Sequence, residues 1–161
     1  MKRIIFALMW VCFYPLSQAQ VSQNIQITPD HTTAQNMEDP TQTIKDFFEA
    51  FHAQDTTAMR ALTSSSILQQ TIIPASDDKD EQVVVVSFDQ FLERIATMSP
   101  GSFKEEILSY NYRSATGMVH SFTPYRFFFK GELSHSGVNS FLLVRVNGAW
   151  KIAHIIDTRI K

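Results

Sequence analysis

Apolar residues along this chain follow two successive rhythms. Between residues 39 and about 100 they recur at helical spacing: Ile44, Phe47, Phe48 and Phe51 at i, i+3, i+4, i+7, and Phe88, Phe91, Leu92 and Ile95 likewise. Asp39 before Pro40 supplies an N-cap and a first-turn proline for one helix, and Ser87 with Gln90 supplies a capping box for the other. Between them, Asp55 can cap a short helix carrying Met59 and Leu62. Ser64, Ser65 and Ser66 then read as a break, residues 67–73 as an extended stretch ended by Pro74, and residues 83–86 as a β-branched strand beyond an acidic loop. From residue 103 onward the period shortens to two. Turn signals at Ala115-Thr116-Gly117, Lys130-Gly131 and Asn147-Gly148 divide this part into four successive antiparallel strands. Helices first and a strand meander second predict an α+β domain, with the helices packed on one face of an antiparallel sheet.

The first residues obey neither rhythm. Lys2 and Arg3 precede an apolar run at residues 4–14, Pro15 breaks it, and Ser17-Gln18-Ala19 places small residues three and one before a cut. This is the order of a secretory signal peptide over residues 1–19, cleaved before Gln20, and the run is too short to span a bilayer. The protein is therefore expected to be exported, periplasmic or secreted, with no membrane association after cleavage. Residues 20–38, rich in Gln, Asn, Thr and Ser, read as a flexible lead-in to a domain over residues 39–161. The single cysteine, Cys12, leaves with the leader, so the domain is held without disulfides.

Charge and cysteine count remove several functions. With 14 Lys and Arg against 16 Asp and Glu, and no basic cluster, nucleic acid is not an expected partner. One Cys excludes a thiolate zinc site. The five His residues do not suggest a metal centre either. In the register derived below, His120 and His154 flank Phe141 across two strand spacings, roughly 9–10 Å, whereas zinc ligands lie within about 2.1 Å of one ion. No metal and no cofactor are expected.

The run Ser134-His135-Ser136-Gly137-Val138-Asn139-Ser140-Phe141, followed by Asn147-Gly148-Ala149-Trp150-Lys151-Ile152 at the start of the last strand, completes this order of elements. Over residues 39–161 the chain resembles the nuclear transport factor 2-like superfamily, in its SnoaL-like and lumazine-binding-like branch. That resemblance implies a cone of N-terminal helices lying against a curved antiparallel sheet, with a pocket between the layers. It spans isomerases, dehydratases, polyketide cyclases, ligand binders and assembly modules, so it names no single activity. The enzymes generally carry an Asp, or a His with an Asp, in the pocket, and no matching carboxylate is apparent in this sequence.

Tight turns fix strand register, which locates candidate site residues. Asn147-Gly148 as a two-residue turn sets Arg145 opposite Trp150, Leu143 opposite Ile152, Phe141 opposite His154 and Asn139 opposite Ile156. Lys130-Gly131 adds Arg126 opposite His135, Phe122 opposite Asn139 and His120 opposite Phe141. On this reading one face carries Arg126, His135, Asn139, Phe122, Phe141, His154 and His120, joined from the helices by Phe48 and Phe91, and this set forms the expected ligand site. Arg126 would orient an anionic or carbonyl group, with Glu105 beside it if the first turn is tight. Its charge would hold His135 neutral. The other face would hold Tyr125, Phe127, Leu142, Val144, Ala153 and Ile155, with Ser136, Asp157 and Arg159 toward one end. Such an apolar second face needs a cover, either a second copy of the chain in a homodimer, or the lead-in segment or a loop. His52 and Asp55 read as helix-end caps, and Tyr110 and Tyr112 as packing.

Three functions are compatible with these residues. One is an exported domain that binds a small apolar or aromatic ligand. The second is a lyase or isomerase using His135 as general acid or base. The third is a dimeric assembly module whose cone is filled with side chains.

Overall fold

Asp39 opens the first helix: its Oδ1 accepts the Thr41 amide at 2.9 Å, and Pro40 occupies the first turn. The structure, a computed structural model, describes residues 39–76 and 79–160. The leader and lead-in expected over residues 1–38 lie outside the described residues. Helix α1 (Pro40–His52) buries Ile44, Phe47, Phe48 and Phe51 along one stripe. Helix α2 (Thr56–Ala61) starts where Asp55 Oδ1 accepts the Ala58 amide at 2.9 Å, and it buries Met59. Helix α3 (Phe88–Thr97) buries Phe88, Leu92 and Ile95. The Gln54 side-chain amide donates to the Ile95 and Met98 carbonyls at 2.7 and 2.8 Å. These bonds satisfy acceptors that every helix C-terminus leaves open, and they tie α3 to the α1–α2 turn.

Seven strands, β1 (Thr63–Ile73), β2 (Gln82–Val86), β3 (Phe103–Ile107), β4 (Asn111–Ala115), β5 (Met118–Phe129), β6 (Glu132–Val146) and β7 (Ala149–Thr158), form one sheet. Its order is β2-β1-β7-β6-β5-β3, with β4 also on β5. The Lys130-Gly131 and Asn147-Gly148 turns have positive φ at both central residues (52° and 84°, 50° and 86°), as two-residue hairpins require.

Three details differ from the sequence reading. The serines at 64–66 lie within β1 and coincide with a register shift rather than a break. β1 runs parallel to β7, so the sheet is mostly rather than wholly antiparallel. The expected strand from residue 103 is two strands, interrupted opposite Pro124, which has no N–H to contribute to a ladder. The Pro124 carbonyl still accepts the Leu108 amide at 2.8 Å.

The largest correction concerns register. Beyond Leu143↔Ile152 the pairing slips by one, to Leu142↔His154, Phe141↔Ile155 and Asn139↔Asp157, with Ala153 as the extra residue. A second slip at Ser134 gives Phe127↔His135, Arg126↔Ser136, Thr123↔Asn139 and Ser121↔Phe141. Because side chains alternate, one inserted residue turns every following position to the other face. Tyr125, Phe127, Ile155 and Asp157 therefore face the helices. Arg126, Phe122, His120 and His154 lie on the outer face, where Phe122 is 48% and Met118 45% exposed.

On the helix-facing side Phe141, Leu143, Ile152 and Trp150 join Ile44, Phe47, Phe48, Phe51 and Met59 in one buried cluster. Phe141 receives Phe47 and Phe48 edge-on at centroid distances of 6.4 and 5.9 Å, a favourable geometry for aromatic pairs.

The end of β7 crosses close over β6 at Gly137. A Cβ added there would lie 1.9 Å from the Thr158 carbonyl oxygen, while the Val138 amide donates to Thr158 Oγ1 at 3.1 Å. Backbone cannot yield as a side-chain tip would. Gly137→Ala should therefore lower unfolding free energy by about 3 kcal/mol or more, with the neighbouring Ser136→Ala as a mild control. An unchanged urea midpoint for Gly137→Ala would contradict this packing.

Candidate functional site

Between α1, α3 and the helix-facing side of the sheet lies a cavity of about 250 Å³. One part is aromatic: Phe47, Phe48, Phe51 and Phe91 enter from the helices, and Phe103, Phe127 and Phe141 from the sheet. Phe51 lies parallel to Phe91 at 6.1 Å and within 4.7 Å of Phe103.

The other part is polar and follows from the shifted register. Thr71, Asp157, Asn139 and Thr123 form one row across β1, β7, β6 and β5. Thr71 Oγ1 donates to Asp157 Oδ1 at 2.7 Å, and Arg159 Nε donates to Asp157 Oδ2 at 2.9 Å. The Tyr125 hydroxyl donates to the Thr158 carbonyl at 3.0 Å, within 3.5 Å of Asp157 Oδ2. From β3, Glu105 reaches this row: Asn139 Nδ2 donates to its Oε1 at 2.6 Å.

Glu105 touches the cavity but is otherwise surrounded by protein. Burial pushes its carboxyl up to about 7, and the nearby Asp157 charge adds to the rise against the opposing pull of the Asn139 hydrogen bond and Arg159. Tyr125 is likewise held above its ordinary range, by burial first and then by Asp157 and Glu105. His52 packs behind Glu105 and accepts its backbone N–H on Nε2 at 2.9 Å. Burial, then Lys104, holds that imidazole below its usual range. Near neutral pH Glu105 is thus divided between an acid able to donate as well as accept and its carboxylate, beside an Asp157 side chain already paired with Arg159.

The structure brings five of the sequence-predicted residues to this cavity: His135, Asn139, Phe141, Phe48 and Phe91. His135 lies along the wall, stacked on Phe127 at 4.9 Å and edge-on to Tyr125 at 5.8 Å. The other four are elsewhere. Arg126 pairs with Ser136 on the outer face, so it holds no group beside His135. Phe122 and His120 pack together on that face at 4.6 Å, His120 within 2.7 Å of Ser140 Oγ. His154 is engaged with Gln70 Oε1 at 2.9 Å. Glu105, read from the sequence as a possible neighbour of Arg126, lines the cavity without Arg126, and Asp157, read onto the opposite face, lines it too. Sequence signals for both existed: Glu105 lies two residues beyond Phe103 on a period-two strand, and Asp157 ends an apolar strand. A bulge at Ala153 was what hid Asp157. Among the described residues no group of three His, Cys, Asp or Glu side chains is placed to hold a metal, and no helix is long and apolar enough to cross a membrane.

No protein-family model and no curated protein matches the sequence. Solved structures do match. A nuclear transport factor 2-like protein of unknown function from Pseudomonas putida KT2440 superposes with a TM-score of 0.58 at 15% identity, over 73% of this chain and 82% of that one. A nuclear transport factor 2-like protein from Cytophaga hutchinsonii gives 0.56 at 13%, over 74% and 94%. A proposed dehydratase of that family from Streptomyces avermitilis gives 0.55 at 11%, over 75% and 93%. The fold is therefore nuclear transport factor 2-like, an α+β arrangement of N-terminal helices on a mostly antiparallel sheet. Likeness at this identity defines architecture and leaves the activity to the site itself.

Glu105 makes a stability prediction with a definite sign. Its native value near 7 lies above its ordinary 4.5, so between those values the unfolded chain releases a proton that the native state retains. Stability contributed by the neutral acid is complete below pH 4.5, falls as pH rises toward 7, and is level above. Relative to Glu105→Gln, the unaltered protein should lose on the order of 3 kcal/mol across that window. Parallel urea-unfolding profiles for the two proteins would refute the assignment.

Proposed function

We propose that this chain is an exported small-molecule-binding domain whose ligand lies between the helices and the sheet. The observation that carries the reading is the cavity of about 250 Å³, walled by Phe and lined on its other side by the polar side chains of Thr71, Glu105, Asn139 and Asp157. A domain serving only as a filled scaffold would place apolar side chains at Asn139 and Asp157. Apolar walls with a few convergent polar groups are the usual composition of a small-molecule site. The leader over residues 1–19 motivates the exported location. On the outer face, exposed Phe122 and Met118 lie among groups of both signs, with Glu106 opposite Arg126. A second copy related by a two-fold axis offers the same mixture in reverse, so self-association is the proposed cover. Native mass spectrometry of the exported protein with 2-naphthol tests all three elements. The expected species starts at Gln20, is dimeric and holds one 2-naphthol per chain. Retained residues 1–19 would overturn export, a monomer would overturn self-association, and no uptake would overturn the pocket.

A lyase or isomerase is the second reading. What favours it is a carboxyl poised near 7 beside a second carboxylate, a pairing suited to proton transfer at neutral pH. Its acid-base group is then Glu105 rather than His135. Turnover of hydroxy-carbonyl compounds should fall at least a hundredfold in Glu105→Gln and little in His135→Ala. Equal turnover in Glu105→Gln, or none in the unaltered protein, removes this reading.

A further inference from the structure

One edge of the sheet carries charge and the other does not. On the β5 side, β3 holds Lys104 and Glu106, and β4 holds Arg113. Such residues keep an edge strand from pairing with another chain. On the far side the sheet ends in β2, which reads Gln82-Val83-Val84-Val85-Val86. This strand has no charged residue and no proline, and it pairs with residues 69–73 of β1 in unbroken antiparallel register. Among the described residues no strand pairs with its other edge. Val83, Val84 and Val85 are 56%, 38% and 65% exposed. A β-branched edge without charge or bulge is a template for a further strand.

The chemistry of this edge specifies what fits it. Alternate N–H and C=O groups of an edge strand point away from the sheet, and an extended backbone is the partner that matches their spacing. Val83 and Val85 stand beside Ile72 and Gln70 on the outer face, and Val84 beside Thr71 on the helix-facing side. An incoming strand therefore meets an aliphatic neighbour on each face, an environment suited to β-branched side chains. Charge distinguishes the two ends. Asp80 and Glu81, both exposed, immediately precede the strand, while Lys79 before them is held in a bridge with Ser76. A second copy of β2 paired antiparallel about Val84 would set Ser87 and Phe88 opposite Glu81 and Asp80, and would bring them no cation. A segment ending in Lys or Arg does.

We propose that β2 is a docking edge for an extended segment of another polypeptide, rich in Val, Ile or Thr over about five residues and followed by Lys or Arg. The segment lies antiparallel to β2, so that its basic end meets Asp80 and Glu81, and it lengthens the seven-stranded sheet by one strand. This contact is made at the sheet edge and is independent of what the cavity binds.

Fluorescence anisotropy of the full chain with a labelled peptide, Thr-Val-Thr-Val-Thr-Lys-Lys, tests the proposal, and amide hydrogen exchange locates the contact. Exchange should slow within residues 82–86 and stay unchanged in residues 103–107 at the charged edge. N-methylation of two adjacent central residues removes backbone donors on both edges of the peptide and should weaken binding at least about tenfold. A peptide ending in Glu-Glu should bind severalfold more weakly, and the combined Asp80→Lys and Glu81→Lys protein should reverse that preference. Val85→Lys, at an exposed position, should weaken binding of the Lys-ending peptide severalfold. No binding, equal binding of the N-methylated peptide, indifference to the charged ending, or slowed exchange elsewhere than in β2 would overturn the proposal. Slowed exchange in residues 82–86 that grows with protein concentration in the absence of peptide would assign the edge to a second copy and overturn it as well.

Discussion

Strand β6 is the constraint on which the site depends. It pairs along most of its length with β5 on one side and β7 on the other, and a single residue is inserted on each side, Ser134 in β6 and Ala153 in β7. Each insertion reverses the faces beyond it. Without the Ala153 bulge Asp157 would point to solvent and Ile156 to the helices. Without the one at Ser134, Arg126 would take the place beside His135 that Phe127 occupies. The polar row and the aromatic wall are both products of these two slips. Close approach of β7 to Gly137 holds the result, because the carbonyl of Thr158, bonded to the Tyr125 hydroxyl, lies where a side chain would be.

Phe is abundant here, with 13 in the chain, and its placement explains how a domain without disulfides keeps an unfilled space. Toward the Asn147-Gly148 turn the layers are closed by Leu143, Ile152 and Trp150, all almost wholly buried. Full burial of side chains of this size is worth about 1.5–3 kcal/mol each. That end anchors the sheet to α1. Further along, rings meet rings edge-on or in stacks and hold the walls apart. The closed end supplies stability that the open end gives up. Glu105 is the clearest concession, a carboxyl whose ionised form is penalised by burial.

Much of the architecture was legible from local chemistry. Asp39, Asp55 and Ser87 cap helices because their side chains reach amides two or three residues on, and no distant residue is needed. The Lys130-Gly131 and Asn147-Gly148 turns are equally local. The site was half legible. Asn139, Phe141, Phe48, Phe91 and His135 were found because their faces follow from period alone near a correctly placed turn or along a helix. Arg126, Phe122, His120 and His154 were misplaced because face assignment was carried past a bulge. A bulge leaves little mark in sequence: Ser134 and Ala153 resemble any other strand residue.

The amino-acid sequence by itself determined the helical stripes, their caps, the hairpin turns and the supply of aromatic side chains, since each depends on residues within a few positions of one another. Only the tertiary structure decided which carboxylates are buried, that β1 lies parallel beside β7, and that Glu105 and Asp157 share one cavity. Those outcomes depend on pairing between segments far apart in the chain, where one inserted residue changes which side chains meet and therefore what chemistry the cavity holds.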